Sequence, residues 1–389
     1  MGVAGPEDHQ RRRGDLEDLR RIYESTQMLA SHRKDNSDDF YGRRVLSNYS
    51  SSDTDEETSD ELVCVTSGVS LLGLALVNQL LLRGFSVRIL VDSPENDDAE
   101  DREKVNEMKL KTEAGGGVSK IWTLWGDLRE SHSLANAFEG CRGVFHTSSF
   151  IDPSGLTGYS KAMVEVEKKV SENVMEACAR TSSVRYCVFT SSLLACIWRD
   201  GTRAELPPVV DHDCWSDPSL CKNKKLWYAL GKLKAEKAAW RIAKERDIKL
   251  VTICSALLTP PPHLSTNNST PTIAYLKGAQ EMYDQGLLAT VSVRTLAEAH
   301  VNVYEAMGEN EAHGRYICFD QIIKTQAEAE ALAREVCVPI TKICQSQEEE
   351  AEKASTSTST KFQLSNKRLF NLTSSRAPST RCFSLNAFP

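Results

Sequence analysis

One segment near the middle of the chain limits the possible folds more than any other. The apolar run YCVFT at 186–190 has the β-branched and aromatic composition of a buried strand, and it leads directly into Ser191 and Ser192. A helix-like stretch follows, in which Tyr228 and Lys232 stand four residues apart. That spacing places both side chains on one face of a helix. The segment therefore predicts a strand that delivers hydroxyls to its carboxyl end, and a helix that carries a phenol beside an ammonium.

These groups have a specific chemical use. A phenol with a pKa of about 10 is a poor acid–base catalyst at neutral pH, and a nearby cation lowers that pKa toward the working range. A serine hydroxyl at the strand end can hydrogen-bond the same substrate oxygen. The three parts together can move a proton on or off a carbonyl or alcohol while a cofactor moves the hydride. Tyr-x-x-x-Lys also arises by chance in helices, so the preceding Thr-Ser-Ser strand end is what gives the pair its weight.

The folded region opens like a dinucleotide-binding unit. Residues 62–66 (LVCVT) predict a short strand, 67–73 (SGVSLLG) a turn of small residues, and an apolar helical pattern then runs to Leu82. The N-terminus of such a helix offers free N–H groups to a pyrophosphate. A second strand at 85–91 ends at Asp92, close to the distance at which an acid meets the adenosine ribose.

Strands and helices continue to alternate beyond this unit. Further strands are predicted at 121–125, 143–149 and 249–254, and helices at 160–179 and 233–243. This alternation predicts an α/β fold with a doubly wound parallel sheet, the Rossmann architecture.

Four regions are expected along the chain. The polar stretch 1–60 predicts a disordered extension, since a run of Ser, Thr, Asp and Glu cannot bury enough surface to offset its ordering entropy. Residues 61–258 form the NAD(P)-binding domain, and 259–345 a smaller substrate lobe that includes late core elements. Residues 346–389 begin with a low-complexity insert and are expected to form a tail.

Bulk properties exclude several classes of protein. The 389 residues are 40% hydrophobic and 26% charged, which is ordinary for a soluble protein, and the net charge of -7 argues against a nucleic-acid surface. No run of about 18 apolar residues exists, so no membrane span is expected. The charged N-terminus lacks a signal-peptide core, and the 12 cysteines then indicate reduced thiols and a cytoplasmic protein. The spacing of Cys and His predicts no metal site.

The most specific segments carry a family resemblance. Residues 190–192 and 214–232 resemble the cinnamoyl-CoA reductase and dihydroflavonol reductase group of the extended short-chain dehydrogenases/reductases. The catalytic residues of that family fall on Ser192, Tyr228 and Lys232. The turn that reads Thr-Ser-Gly-Val-Ser is similar to a divergent plant subgroup.

The resemblance implies a function and a cofactor site. It implies reduction of a hydroxycinnamoyl-CoA thioester or a similar phenylpropanoid carbonyl, as in lignin biosynthesis, with NADP or NAD as cofactor. An Asp-Leu pair would contact adenine, and a strand end at 147–148 would pass over the cofactor ribose. The implied cofactor-binding residues are Thr66, Ser67, Gly68, Ser70, Leu71, Leu72, Gly73, Asp92, Asp127, Leu128, Thr147, Ser148, Tyr228 and Lys232.

The chain departs from the family pattern at the cofactor turn. Ser67 and Ser70 stand where the family has glycines, and a Cβ at a strained position costs roughly 1 to 3 kcal/mol. Asp92 stands where NADPH-dependent members usually carry an arginine. An acid at that position favours the ribose diol of NADH over a 2′-phosphate, with Arg88, Arg102 or Lys104 as other candidates to reach that phosphate.

Two hypotheses from different classes follow. The first is an oxidoreductase in which Tyr228 donates the proton, Lys232 lowers the pKa of that tyrosine and holds the nicotinamide ribose, and Ser192 orients the substrate oxygen, with Ser191 as the fallback. The second is a catalytically weak or inactive relative that acts as a cofactor-sensing or protein-binding scaffold. It draws on the replaced glycines and on the loss of the family's helix asparagine, where this chain reads KKVS at 168–171.

Overall fold

The fold is built around one parallel sheet of seven strands. A computed structural model describes residues 61–92, 103, 106, 120–147, 159–199, 208–259, 270–344 and 362–376. In chain order the strands of this sheet are β1 (Leu62–Thr66), β2 (Ser86–Asp92), β3 (Ile121–Gly126), β4 (Gly143–His146), β5 (Tyr186–Ser192), β7 (Lys249–Ser255) and β10 (Gly314–Cys318). Their spatial order is β3-β2-β1-β4-β5-β7-β10, with every neighbouring pair parallel.

The strand order reverses between β1 and β4. Both strands pair with each other, but the chain leaves β1 toward β2 on one side and leaves β4 toward β5 on the other. In an open parallel sheet the crevice beyond the carboxyl ends of the strands at such a switch point is where ligands bind. The fold therefore places a candidate cofactor site next to Thr66 and His146, the last residues of the two strands.

Helices cover both faces of the sheet. The helices that position the site and the core are α1 (Leu71–Leu82), α2 (Ser131–Phe138), α3 (Lys161–Arg180), α6 (Trp227–Arg246) and α9 (Val293–Gly308). On one face α3 packs along α6 and against α2, and on the other α1 packs along α9. Strand residues alternate between the two faces, so that Cys64 lies in one buried cluster while Val63 and Val65 lie in the other. The sheet is thus doubly wound.

A smaller lobe follows the main sheet. It contains β8 (Leu257–Thr259), β9 (Ala289–Ser292) and β11 (Gln321–Ile322) in a second sheet, and α7 (Thr270–Tyr275) and α8 (Ala279–Asp284) beside it. The remaining elements are short or peripheral, namely α4 (Leu194–Ile197), β6 (Val209–Val210), α5 (Pro218–Asn223), α10 (Gln326–Glu335), β12 (Gln363–Leu364) and α11 (Lys367–Arg376).

The observed elements agree closely with the sequence expectations, and the differences lie at one strand end and in the tail. The strand expected over 143–149 ends at His146, because the chain leaves the sheet at Thr147. Residues 314–318, which fall in the region 259–345 with its expected late core elements, form a strand of the main sheet. Within the expected tail, 362–376 form β12 and α11, and their Leu364 and Leu369 are buried in the core.

Two further expectations concern the terminal segments and the absence of a membrane span. The extension over 1–60 and the rest of the tail lie outside the described residues. In the described ranges, none of the helices is long and apolar enough to cross a membrane.

Candidate functional site

The turn between β1 and α1 contains one left-handed residue and two glycines without room for a side chain. Ser67 adopts a left-handed backbone with φ of 51°. A side chain at Gly68 would come within 2.6 Å of Ile89, and one at Gly73 would collide with the backbone of Ser67 and Gly68. The chain therefore keeps glycine where space is absent, and holds Ser67 in a conformation that glycine adopts more readily.

Ser70 determines how α1 begins. Its extended backbone and its hydroxyl make it the N-cap of the helix, because the Ser70 Oγ accepts a hydrogen bond from the Gly73 N–H at 3.1 Å. The first turn of a helix normally leaves four such N–H groups without a partner. One donor that would face a pyrophosphate at this helix end is thus already used within the protein. Leu71 and Leu72 follow in the first turn, and Leu72 is buried.

The carboxyl end of β4 is tied to the end of β1. The Thr66 Oγ1 lies 3.0 Å from His146 Nδ1 and accepts a hydrogen bond from the Thr147 N–H at 3.2 Å. The Thr147 hydroxyl in turn donates to the Thr66 carbonyl. Burial, and then the charge of Lys232, lower the pKa of His146 to about 3, so that its ring is neutral at physiological pH. These contacts hold the ends of β1 and β4 together, and His146 has a structural role in them.

The residues expected around the adenosine have mixed outcomes. Asp92 ends β2 opposite Gly126 in the register, and Ser148 lies outside the described residues. The Arg129 Nε donates hydrogen bonds to both carboxylate oxygens of Asp127, at 2.9 and 3.0 Å, and these bonds lower the pKa of the Asp127 carboxyl group. Leu128 is buried in the core, so that only its backbone would face a ligand.

Arg88 is directed elsewhere than expected. Its Nη1 donates to the carbonyl oxygens of Ala137 and Glu139, at 2.9 and 2.5 Å, at the end of α2. It therefore serves as a helix C-terminal partner rather than as a ligand for a 2′-phosphate. The other two candidates, Arg102 and Lys104, lie outside the described residues.

The structure brings Tyr228 and Lys232 together on the first turns of α6. The Lys232 Nζ lies 5.7 Å from the centroid of the Tyr228 ring. Lys232 is 4% exposed, whereas Tyr228 is only partly buried. Burial opposes the positive charge of Lys232, but a neighbouring carboxylate outweighs it and raises the pKa of the lysine. A buried, charged ammonium therefore stands behind a phenol that reaches the surface of the crevice.

That carboxylate belongs to Glu167 on α3. The Lys232 Nζ and the Glu167 Oε1 are 2.6 Å apart, and both side chains are 5% exposed. The other oxygen, Oε2, accepts a hydrogen bond from the Tyr159 hydroxyl at 2.5 Å. The Tyr159 ring meets Tyr228 edge to face, with centroids 5.2 Å apart. Burial, and then Glu167, raise the pKa of Tyr159 far above its usual range, so that this phenol remains a donor.

The two serines at the end of β5 have different surroundings. The Ser192 Oγ accepts a hydrogen bond from the Leu194 N–H at 3.2 Å. The Ser191 Oγ donates to Glu236 Oε2 at 2.6 Å and so belongs to a buried network behind the sheet. The structure thus commits Ser191 to the interior, whereas the equally buried Ser192 contacts the backbone that follows the strand, and its catalytic role stays a prediction.

Glu236 is the centre of that network. It forms a buried ion pair with Arg315 of β10, with Nε to Oε1 at 2.7 Å, and accepts a further hydrogen bond from Thr252 at 2.6 Å. Burial opposes its charge, but Arg315 and the two hydroxyls lower the pKa of Glu236. Arg315 also lies 3.6 Å from the centroid of the Trp215 ring. The network fastens the helix that carries Tyr228 and Lys232 to three strands of the sheet.

Sequence reasoning did not find Glu167, Tyr159 or Glu236. A signal was nevertheless present for Glu167, since it shares the helical spacing of the buried Val164 and Val170. A charged residue on an apolar stripe requires a buried partner. Tyr159 carries no comparable pattern, because it precedes α3 and reaches Glu167 only through the fold.

Comparison with known proteins identifies the family. A model of the 3-beta hydroxysteroid dehydrogenase/isomerase family matches residues 64–237. Cinnamoyl-CoA reductase 1 of Petunia hybrida is 36% identical over 278 residues, which are 71% of this chain and 78% of that protein. The chain belongs to the cinnamoyl-CoA reductase family of extended short-chain dehydrogenases/reductases. Tetraketide alpha-pyrone reductase 1 of Arabidopsis thaliana, also similar, is 32% identical over 72% of this chain and 83% of its own length.

Solved structures agree with this assignment at the level of the fold. Vestitone reductase from alfalfa superposes with a TM-score of 0.53 at 22% identity, covering 80% of this chain and 91% of that one. The yeast methylglyoxal/isovaleraldehyde reductase in complex with NADPH gives a TM-score of 0.54 at 18% identity, covering 80% and 92%. The expected fold class is confirmed, and membership of the family makes the chain an NAD(P)-dependent oxidoreductase.

The residues at the crevice fit a nicotinamide dinucleotide. The tight turn around Gly73 brings the N-terminus of α1 to the end of β1, where backbone N–H groups can meet phosphate. The buried Lys232 ammonium retains N–H donors beyond its bond to Glu167, as a ribose diol requires.

Proposed function

We propose that this protein reduces the thioester or carbonyl group of a hydroxycinnamoyl-CoA-like phenylpropanoid with a nicotinamide cofactor. The observation that carries the proposal is the position of the Lys232 ammonium, 5.7 Å from the Tyr228 ring centroid and buried beneath it. An ammonium in this position can stabilise the negative charge that develops on the phenol oxygen during proton transfer. Similarity to cinnamoyl-CoA reductases supports the choice of substrate class.

Each residue has one task in this proposal. Tyr228 gives its proton to the developing oxyanion, Lys232 stabilises the resulting phenolate and holds the nicotinamide ribose, and Ser192 hydrogen-bonds the substrate oxygen. The turn at 66–73 would hold the pyrophosphate, Asp92 and the 127–128 pair would hold the adenosine, and Thr147 would contact the ribose. The bound cofactor supplies the hydride. With a thioester, hydride addition and the proton from Tyr228 would give a hemithioacetal; its hydroxyl would return that proton to Tyr228 as the C–S bond breaks, the CoA thiolate would take one proton from solvent, and an aldehyde would leave.

The choice between the two nicotinamide cofactors rests on the end of β2. An acid at Asp92 accepts hydrogen bonds from a ribose diol and repels a 2′-phosphate, and Arg88 is engaged by the end of α2. We therefore propose that NADH binds more tightly than NADPH. Calorimetric titration of the purified chain with each cofactor measures this directly. Tighter binding of NADPH would contradict the proposal.

Activity is tested with hydroxycinnamoyl-CoA thioesters and either cofactor, by following aldehyde formation. Tyr228→Phe removes the proton donor and is expected to lower kcat by about 10² to 10⁴-fold. Ser192→Ala is expected to cost about 10² to 10³-fold, as for other donors to an oxyanion. Tyr186→Phe at the opposite end of β5 is the matched control and should leave the rate unchanged. Equal rates for Tyr228→Phe and Tyr186→Phe would refute the assignment.

The scaffold hypothesis remains the alternative from a different class. It draws support from the serines in the cofactor turn, and its partner would be another protein. Titration again discriminates, because the absence of binding of either cofactor at millimolar concentration would exclude hydride transfer and favour the scaffold.

Reduced thiols support a cytoplasmic location. Eleven cysteines in the described ranges are free thiols, ten of them buried, which is typical of proteins from a reducing compartment.

A further inference from the structure

Four ion pairs connect α3 with α6 among the described residues, and two of them lie in opposite environments. Glu165 pairs with Lys234 at 2.7 Å on the surface, where the two side chains are 65% and 40% exposed. Glu167 pairs with Lys232 at 2.6 Å in the interior. A surface pair contributes between zero and about 1 kcal/mol to stability, whereas removal of one partner of a buried pair costs about 3 to 5 kcal/mol. The buried pair Glu167–Lys232 is thus the functional candidate, and the exposed pair Glu165–Lys234 on the same two helices serves as its reference.

A buried lysine such as Lys232 can exist either as a neutral amine or as an ammonium paired with a carboxylate. An ammonium without a counter-ion in the protein interior loses its proton, because desolvation disfavours the charged form. A carboxylate in contact with it favours the charged form instead. Only the charged form of Lys232 can stabilise a phenolate at Tyr228, so that the chemistry of the proposed function depends on which state prevails.

Burial lowers the pKa of Lys232, and Glu167 and then Tyr228 raise it; of these two groups Glu167 supplies the carboxylate, which contacts the ammonium directly. His146 on β4 is buried and neutral, and its own pKa is lowered by Lys232. Tyr159 precedes α3 and remains protonated. Tyr228 lies on the same helix and is the group to be activated. Both oxygens of Glu167 are engaged, one by Lys232 and one by Tyr159.

The orientation of Glu167 depends on a second feature of α6. Gly231 directly precedes Lys232, and a Cβ at this position would collide with the Tyr159 hydroxyl. The missing side chain therefore opens the space in which Tyr159 reaches Glu167. A glycine inside a helix is unfavourable by about 1 kcal/mol relative to alanine, so the helix gives up stability where the carboxylate is oriented.

We propose that Glu167 is a positioning residue that keeps Lys232 in the ammonium form, and that Tyr159, through the space left by Gly231, orients the Glu167 carboxylate. This inference rests on the proposed function for its catalytic meaning. The protonation state of Lys232, however, can be measured without cofactor, substrate or turnover.

The test is a pH titration of the lysine side chains by NMR in protein labelled with ¹³C at lysine Cε. The resonance that disappears in Lys232→Met identifies Lys232. In the unmodified chain this resonance should keep the shift of an ammonium up to alkaline pH. Glu167→Gln keeps the shape of the side chain and removes its charge, and the Lys232 resonance should then titrate closer to neutral pH. Glu165→Gln is the matched control and should leave the Lys232 titration unchanged.

Enzyme kinetics provide a second readout. In Glu167→Gln, kcat should fall at least about 10-fold at pH 8, and the alkaline limit of the pH profile should move to lower pH, because one pKa unit corresponds to a factor of ten. Glu167→Asp retains the charge and should restore much of the rate without moving the profile. It also keeps the test open if Glu167→Gln does not fold. An unchanged Lys232 titration in Glu167→Gln would overturn the inference, even if the protein reduces its substrate.

Discussion

The Ser70 Oγ accepts a hydrogen bond from the Gly73 N–H at 3.1 Å, at the end of α1 that faces the switch point of the sheet. A side chain of the protein therefore occupies a donor that a pyrophosphate would otherwise use. The cap stabilises α1 before any cofactor binds. The same contact has to be shared or exchanged when phosphate arrives.

Ser70→Gly is expected to increase cofactor affinity by about 3 to 10-fold, because it frees this N–H group for phosphate. Glycine is itself an acceptable N-cap, so that the helix should lose only a few tenths of a kcal/mol. Calorimetric titration with NADH measures the affinity, and a urea melt measures the stability. Weaker binding in Ser70→Gly would show that the hydroxyl contacts the cofactor rather than competing with it.

Ser67→Gly is expected to stabilise the protein by about 1 kcal/mol, since Ser67 has a φ of 51° and only glycine adopts that conformation without strain. Asp247 has a φ of 55° at the C-terminal end of α6, and Asp247→Gly is the matched control. Both variants should be more resistant to urea. Only Ser67→Gly should also alter cofactor affinity, and equal affinities in the two variants would contradict a role for Ser67 in binding.

Gly231→Ala is expected to lower stability by about 1 to 3 kcal/mol and to lower kcat, because the added methyl group displaces Tyr159 from Glu167. Gly308 at the end of α9 has open space around it, and Gly308→Ala should be neutral or stabilising. Thermal melts and steady-state rates provide the two measurements. A normal kcat in Gly231→Ala would show that the contact between Tyr159 and Glu167 does not contribute to catalysis.

Acid should destabilise the protein below pH about 6.5, the ordinary pKa of histidine. Burial lowers the pKa of His146 to about 3 and that of His300 to about 4. The unfolded chain then binds more protons than the folded one, so stability is complete above pH about 6.5 and falls as the pH drops toward the folded values. Two such groups give a slope of up to about 2.7 kcal/mol per pH unit.

The slope can be assigned by substitution. His300 is held between the Leu296 carbonyl and the Thr190 hydroxyl, each at 2.7 Å. His300→Gln should roughly halve the slope of unfolding free energy against pH, measured by urea titration between pH 6.5 and 4.5. His132 is exposed on α2, and His132→Gln should leave the slope as it is. A slope that is the same in all three proteins would place the acid sensitivity in other groups.

Local patterns predict the elements of this fold well. Strand β1 begins and ends where its β-branched run does, and the spacing of Tyr228 and Lys232 places them on one helix face as expected. Those features depend on residues close together in the chain. The Glu167–Lys232 pair depends instead on how α3 crosses α6, and no local pattern reports a contact between residues 65 positions apart.

For individual site residues, too, the local sequence does not report the contacts that the fold creates. Ser191 and Ser192 are equivalent in sequence, but strand alternation sends the first toward Glu236 and the second to the opposite face. Arg88 was a candidate for a 2′-phosphate only because of its distance along the chain. In the fold its strand directs it to the end of α2.

The ion pair between Glu236 and Arg315 also determines when the fold can be completed. Helix α6 buries a carboxylate whose counter-ion arrives 79 residues later, on a strand at the edge of the main sheet. During synthesis the N-terminal half therefore emerges from the ribosome with an unpaired charge on the helix that carries Tyr228. A chain cut at 258 would retain the motif residues without Arg315, the buried partner of Glu236.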